Sequence, residues 1–248
     1  MCIRGLQEQE LALLFHHSHQ EGWENEILHT QALFHQHSND FFIAYKEEVL
    51  GFIIAIKESD NFGFISNLLV LPAFRGQGFG TTLFMHALKH LEGLQIGLDS
   101  VVGREMLYKK ARFDAYFKVT TYQFLTGSVT LPSSPIAISN FTQQNSLTHK
   151  SATMQEMIQS TKTVYKAIEN KEEAFALSFA YAQGYKIHIE AEDINEALTL
   201  FFALCQRYNK ETTIYLRVSP LSPMLEAVVA VLKMQVYTQH TRMYNFIP

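Results

Sequence analysis

Leu68-Leu69-Val70-Leu71-Pro72-Ala73-Phe74-Arg75-Gly76-Gln77-Gly78-Phe79-Gly80-Thr81-Thr82-Leu83 runs from an apolar strand through a glycine-rich turn into a helix. Glycines at three alternate positions remove side chains where an oxyanion would need to touch backbone N–H groups. The first turn of the helix adds unpaired N–H donors and the positive end of its dipole. Arg75 adds a full charge. Three glycines and an arginine exceed what a plain strand-to-helix turn requires, so the segment reads as a phosphate or pyrophosphate cradle. A Walker A loop would need a lysine that this turn lacks. A Rossmann loop would place its third glycine at 81 or 83, where Thr81 and Leu83 stand. Asp99, about 20 residues on, keeps a dinucleotide reading open as the rival, since a ribose-binding acid would sit there.

Outward from the turn, the first half is a mixed α/β layer fold (α+β, mixed sheet). Helical periodicity covers 7–21 and about 26–37. Phe41–Tyr45 and Val49–Lys57 form a hairpin around Lys46-Glu47-Glu48, and Phe62–Leu71 is a third strand closed by Pro72. A helix over about 79–91, a strand over 94–100, a short helix over 105–111 and a strand over 115–125 follow. The second half reads as a helix around 151–168, a helix-to-strand passage around 172–191, a helix over 195–208, a strand over 213–218, a helix over 224–232 and a strand over 236–246. Gly127–Pro135 has linker composition, and Gly184 alone of the 12 glycines lies beyond Gly127. The chain therefore divides into a cofactor-binding domain over 1–126, a linker over 127–135 and a smaller domain over 136–248. Thr121-Tyr122-Gln123-Phe124 and Arg242-Met243-Tyr244-Asn245-Phe246 look alike, which suggests a degenerate internal duplication.

The 248 residues suit two modest domains or one large one. With 47% hydrophobic residues and only 18% charged, they can bury a core and are not a disordered composition. A net charge of −4 argues against nucleic acid or an anionic membrane as partner. No run approaches the roughly 18 apolar residues of a membrane helix. Two cysteines cannot form a disulfide framework, so the expected compartment is the reducing cytoplasm.

The cradle resembles the acetyl-CoA-binding signature of the GNAT N-acetyltransferase family, Arg/Gln-x-x-Gly-x-Gly/Ala. Here it reads Arg75-Gly76-Gln77-Gly78-Phe79-Gly80, after Val70-Leu71-Pro72. The family's next signature, Tyr-x-x-x-Gly-Phe, is matched by Tyr108-Lys109-Lys110-Ala111-Arg112-Phe113. Arg112 replaces the usual glycine, which is expected to alter the turn after that helix. Glu21-Gly22-Trp23, Gly97-Leu98-Asp99-Ser100-Val101 and Arg242-Met243-Tyr244 look like a branch with a second, degenerate GNAT-like C-terminal domain.

The resemblance implies an acetyl-CoA-dependent N-acetyltransferase acting on a primary amine of a small molecule or peptide. It implies that the pantetheine arm pairs with Leu68, Leu69 and Val70, and that the pyrophosphate rests on Arg75, Gly76, Gln77, Gly78, Phe79, Gly80 and Thr81. Tyr108 matches the tyrosine that protonates the departing thiolate. The family's frequent basic glutamate is Ser66 here, which can hold a water but cannot take the proton itself. A base matters, because a lysine-like amine is neutral only about once in 2,500 molecules at pH 7. Glu58, Asp60 and Asp99 are conceivable bases, although Asp99 also suits a cap on the segment after it. Two other readings remain: a catalytically weak acyl-CoA sensor, and the dinucleotide binder.

His16, His17, His19, His29, His35 and His37 read as polar helix faces and not as a metal site, since adjacent helical histidines diverge. Trp23 reads as a core anchor, and Lys109, Lys110 and Arg112 as a solvated basic face. Where a duplicated cradle should stand, Glu190-Ala191-Glu192-Asp193-Ile194 would repel a pyrophosphate, which leaves one cofactor site. The composition is compatible with a monomer or a homodimer.

Overall fold

The computed structural model describes residues 1–24, 26–128, 138–140, 151–160, 164–167 and 174–245. In chain order the elements are β1 (Cys2–Gly5), α1 (Leu11–Gln20), α2 (Ile27–His37), β2 (Phe41–Tyr45), β3 (Val49–Lys57), β4 (Phe62–Val70), α3 (Phe79–His90), β5 (Gln95–Val101), α4 (Glu105–Lys109) and β6 (Asp114–Leu125). Then come β7 (Ile138–Asn140), α5 (Ala152–Ser160), β8 (Val164–Ala167), β9 (Phe175–Tyr181), β10 (Gly184–Glu190), α6 (Ile194–Cys205), β11 (Thr213–Val218), α7 (Pro223–Leu232) and β12 (Gln235–Asn245). The α/β class with mixed strand directions is as the sequence indicates.

Two second-half expectations need correction. The helix expected to 168 ends at Ser160, and Val164–Ala167 is a strand. The passage around 172–191 holds no described helix. Its described part is an antiparallel hairpin, β9 with β10, turned by Ala182-Gln183. Alternating small and apolar residues had left its period ambiguous. Residues 129–135 of the expected linker lie outside the described residues.

The chain forms two compact units. One comprises Met1–Phe117 and His240–Pro248, the other Lys118–Gln239. The chain thus leaves the first unit within β6 and re-enters it within β12.

In the first unit β1, β2, β3 and β4 form an antiparallel run. β5 then pairs parallel with β4, and His240–Asn245 of β12 pair antiparallel with β5. α3 is the crossover between β4 and β5. Its Leu83, Phe84 and Ala87, with Leu91 just after it, pack against Ile53, Ile65, Leu98 and Met243. On the other face Leu14 and Phe34, from α1 and α2, pack on Phe41, Ile43, Phe52 and Ile54. β3 is covered on both faces, which explains why its sequence is a continuous apolar run and does not alternate. Trp23 joins the α1 and α2 core, as an anchor should.

In the second unit β7, β8, β9 and β10 run antiparallel, β11 pairs parallel with β10, and Thr120–Leu125 of β6 pair antiparallel with β11. Its core joins Phe124, Ile187 and Leu216 to Leu200, Phe201 and Leu204 of α6 and Val228 and Leu232 of α7. The two look-alike segments therefore hold equivalent places. Each lies antiparallel to the strand that follows its unit's crossover helix.

Arg112 does not alter its turn. It takes the left-handed conformation itself, at φ 63°. Phe113 N–H reaches Tyr108 O at 3.2 Å and Arg112 N–H reaches Lys109 O at 3.0 Å, the bond pair that ends a helix in a Schellman turn. An arginine there costs about 1 kcal/mol that a glycine would not. α7 ends the same way, with Lys233 at φ 50°.

Cys205 is buried in α6, and burial pushes its thiol up to about 12, whereas Cys2 is exposed. Among the described residues no helix is long and apolar enough to cross a membrane.

The last strand has a large effect on the first unit. Met243 is fully buried in the α3 core. Met243→Ala should lower unfolding stability by about 2–5 kcal/mol in urea titration, and a loss under about 0.5 would contradict this packing.

Candidate active site

β4 carries the geometry on which the site rests. Ile54 faces Ser66 and Phe52 faces Leu69, so three steps along β4 match two along β3. The extra residue is a bulge, with Asn67 left-handed at φ 50°. Asparagine tolerates that conformation better than most residues. Gly51 is the partner that permits it, because a Cβ at Gly51 would collide with the Leu69 carbonyl oxygen.

Beyond Ile65 the parallel strands part. β4 pairs with β5 over Phe62–Ile65 and Gln95–Leu98, yet β4 runs on to Val70 and β5 to Val101. On its other edge β5 pairs with β12 over Ile96–Val101, so its departing end is held from that side. Leu71 N–H donates to Leu50 O at 3.0 Å. Strand alternation then turns the N–H and C=O of Val70 away from β3, toward the side that β5 has left. The side chains of Leu68 and Val70 pack toward α3, and that of Leu69 toward α1 and α2.

The glycine turn opens directly from this edge. Pro72–Phe74 make one 3-10 turn, and Gly76 and Gly78 follow at φ 74° and 87°. A Cβ at either would meet nothing, so these glycines serve the backbone conformation and leave the space before it open. Gly80 serves close approach, since its Cβ would lie 3.3 Å from Val70 Cγ2. Gly78 is the N-cap of α3 and supplies no capping side chain, so the first-turn amides of Phe79, Gly80 and Thr81 receive no side-chain bond from it. Gln77 turns its amide back onto Ala73 O at 3.3 Å. Arg75 is also turned inward. Its Nε donates to Val70 O at 2.9 Å, and its Nη2 pairs with Glu21 Oε1 at 2.6 Å.

The second unit supplies a control. α6 starts at the corresponding place, but Asp193 Oδ1 accepts from Asn195 N at 2.8 Å and Glu196 N at 2.9 Å. Glu196 Oε2 accepts from Glu192 N at 2.7 Å. The Asp193 carboxylate thus takes two first-turn amides of α6, where the N-cap of α3 offers no side chain.

Tyr108 lies in α4, half-buried and edge-to-face with Phe84 at 5.4 Å. Desolvation raises its phenol above the ordinary value. Asp99 is not a free ribose acceptor. Its two oxygens take Arg242 Nε at 2.5 Å and Nη2 at 3.0 Å, across β5 and β12. Arg242 stacks on Phe64 at 4.8 Å. Glu58 sits at the exposed end of β3, its carboxyl raised by desolvation, which outweighs Arg242 and His37. Ser66 lies on β4 opposite Ile54, just before the bulge. Lys109, Lys110 and Arg112 are exposed.

The early histidines have local partners. His37 and His90 flank the buried Asp40 at 3.5 and 2.6 Å, and His17 faces Gln20 at 3.0 Å. His35 lines a groove of about 270 Å³ between α1 and α2, with Leu11, Phe15 and Ile27. This groove lies on the helix side of the unit and is distinct from the glycine turn.

The pattern of the acetyltransferase (GNAT) family matches residues 7–104. Residues 7–104 form a GNAT-family domain. Family chemistry is the transfer of an acyl group from an acyl-CoA, and the strand, turn and helix N-terminus described above lie inside the matched segment. A holothin acyltransferase of Pseudoalteromonas sp. (strain SANK 73390) is 26% identical over 101 residues, 40% of this chain and 34% of the relative. The match thus spans about a third of that relative's length. The fold is shared more widely than the GNAT domain. A putative acetyltransferase from Pyrococcus horikoshii superposes with TM-score 0.77 at 15% identity, covering 100% of this chain and 89% of that one. A GCN5-related N-acetyltransferase from Sphaerobacter thermophilus gives 0.66 at 12% identity, over 98% and 94%.

Sequence reading had not singled out Gly51 or Asn67, or given roles to Glu21 and Arg242. An isolated glycine inside the apolar run Val49–Ile56 was the available signal for Gly51. The other three depend on contacts from elsewhere in the chain.

Gly78→Asp would give α3 the carboxylate that Asp193 gives α6. Coenzyme A binding by calorimetry should be abolished while the helix content by circular dichroism is kept. Retained affinity would remove the α3 amides from the site.

Proposed function

We propose that this protein is an N-acetyltransferase that moves an acetyl group from acetyl-CoA to a primary amine by direct attack in a ternary complex. The observation that carries this reading is the pairing of a bulged, half-open strand with an uncapped glycine N-terminus. An open β edge suits the amide-bearing pantetheine arm, and unpaired helix amides suit the pyrophosphate. Within the family's general chemistry, the likeness to an acyltransferase supports acyl transfer.

The amine nitrogen forms the new C–N bond with the thioester carbonyl carbon. Val70 N–H stabilises the negative charge that develops on the carbonyl oxygen. The C–S bond breaks with its electron pair on sulfur, and the Tyr108 phenol gives the leaving thiolate its proton. The proton of the amine passes to a water held by Ser66. Asp99 suits that role less well, since both of its oxygens accept from Arg242. The acceptor is a small-molecule or peptide amine, and two thiols without a disulfide suit the cytoplasm.

Thermal-shift titration with acetyl-CoA, coenzyme A and NAD tests the cofactor. A ligand at 100 times its Kd should stabilise the protein by about 2.7 kcal/mol. Both coenzyme A forms should shift the melt, and a shift with NAD alone would overturn the reading. Turnover on an amine panel separates a transferase from a binding module.

Tyr108→Phe should lower kcat roughly 100-fold with little change in KM. The raised phenol stays protonated past its ordinary value of about 10, so Tyr108 itself should cause no loss of rate between pH 7 and about 9. An unchanged kcat would remove Tyr108 from the mechanism.

A further inference from the structure

We propose that Glu21 is a positioning residue that holds Arg75 across the open edge of β4, and that the phosphates of the cofactor take the guanidinium over from it. The inference rests on the cofactor reading above and gives Glu21 a role that reading leaves out.

Glu21 is the residue after α1. Gly22 N–H reaches His19 O at 2.9 Å and Trp23 N–H reaches Ser18 O at 3.0 Å, so the backbone closes the helix without the Glu21 side chain. A carboxylate at a helix C-terminus is disfavoured by the dipole, so Glu21 stands there against its local preference. Its side chain is 20% exposed and points at Arg75, whose side chain is 48% exposed. The geometry is tight, with Nη2 to Oε1 at 2.6 Å. The guanidinium is held at two points, because Nε also donates to Val70 O.

Two consequences follow from charge and valence. Val70 O belongs to the one strand edge that β5 leaves open, and Arg75 covers it. A ligand arm that pairs with this edge must displace the guanidinium. A pyrophosphate on the amides of Phe79, Gly80 and Thr81 would be a second anion competing with Glu21 for one cation. Moving Arg75 from Glu21 to the phosphate answers both at once. It uncovers Val70 O and places the charge on the ligand. Glu21 therefore opposes binding in the free protein and keeps the edge capped until an anion arrives.

The test is calorimetric titration of the full chain with free coenzyme A at low ionic strength. Glu21→Gln keeps the side-chain shape and removes the competing charge. It should tighten Kd about two- to fivefold, the range of an exposed ion pair. Damage to the fold would weaken binding instead. Arg75→Gln should weaken binding, and the double variant should match Arg75→Gln alone. Glu21→Asp keeps the charge on a shorter stem, should fall between wild type and Glu21→Gln, and decides the matter if Glu21→Gln does not fold. Unchanged or weaker binding by Glu21→Gln, or a gain that survives in the Arg75→Gln background, would overturn the proposal. A wild-type protein that binds no coenzyme A would overturn the cofactor reading itself.

Discussion

The parting of β4 from β5 after Ile65 is the constraint on which the rest of the first unit depends. Two adjacent parallel strands would normally satisfy each other's backbone groups along their length. Here the pairing stops after four residues of each strand, and two sets of backbone groups need other partners. β5 keeps its place through its other edge, which pairs with the last strand of the chain. The β4 set beyond the bulge is left at an edge, and Arg75 takes the one carbonyl described there. An open edge inside a sheet costs stability, and it persists because Gly51, Asn67 and the C-terminal strand all enforce it.

The C-terminal strand therefore contributes more to the first unit than its distance in sequence suggests. Met243 fills the α3 core, and Arg242 meets Asp99 with two bonds while stacking on Phe64. A partly buried, bidentate pair of this kind fixes register, since a shift of one residue would point Arg242 at the opposite face. The same pair takes Asp99 away from the two chemical roles its position in sequence invites, ribose ligand and general base.

The two units treat the same physical feature in opposite ways. Both begin a crossover helix after a strand that outruns its parallel neighbour. α3 is capped by a glycine with no side chain, and a Cβ at that glycine would meet open space. α6 is capped by Asp193, with Glu196 closing the turn. Aspartate is a better N-cap than glycine, by roughly a few tenths of a kcal/mol. The first unit forgoes that small stabilisation at the N-terminus of α3.

The local features were legible in the sequence because each is set by neighbours in the chain. β2, β3 and β11 fall where the pattern put them, since turn residues and apolar periodicity are short-range signals. The special backbone of the glycine turn could be read because dihedral freedom and missing side chains belong to the residues themselves. The second-half hairpin was misread because its apolar residues carry no clear period. The Arg112 turn was misread because the downstream packing of Phe113 holds a residue where its own preference would not. Tertiary structure alone decided that Asn67 bulges over Gly51, that Asp99 is consumed by Arg242, and that Arg75 rests on Glu21 and Val70. Each joins residues far apart in the chain or turns on a close approach of two backbones, and no local preference encodes a contact of that kind.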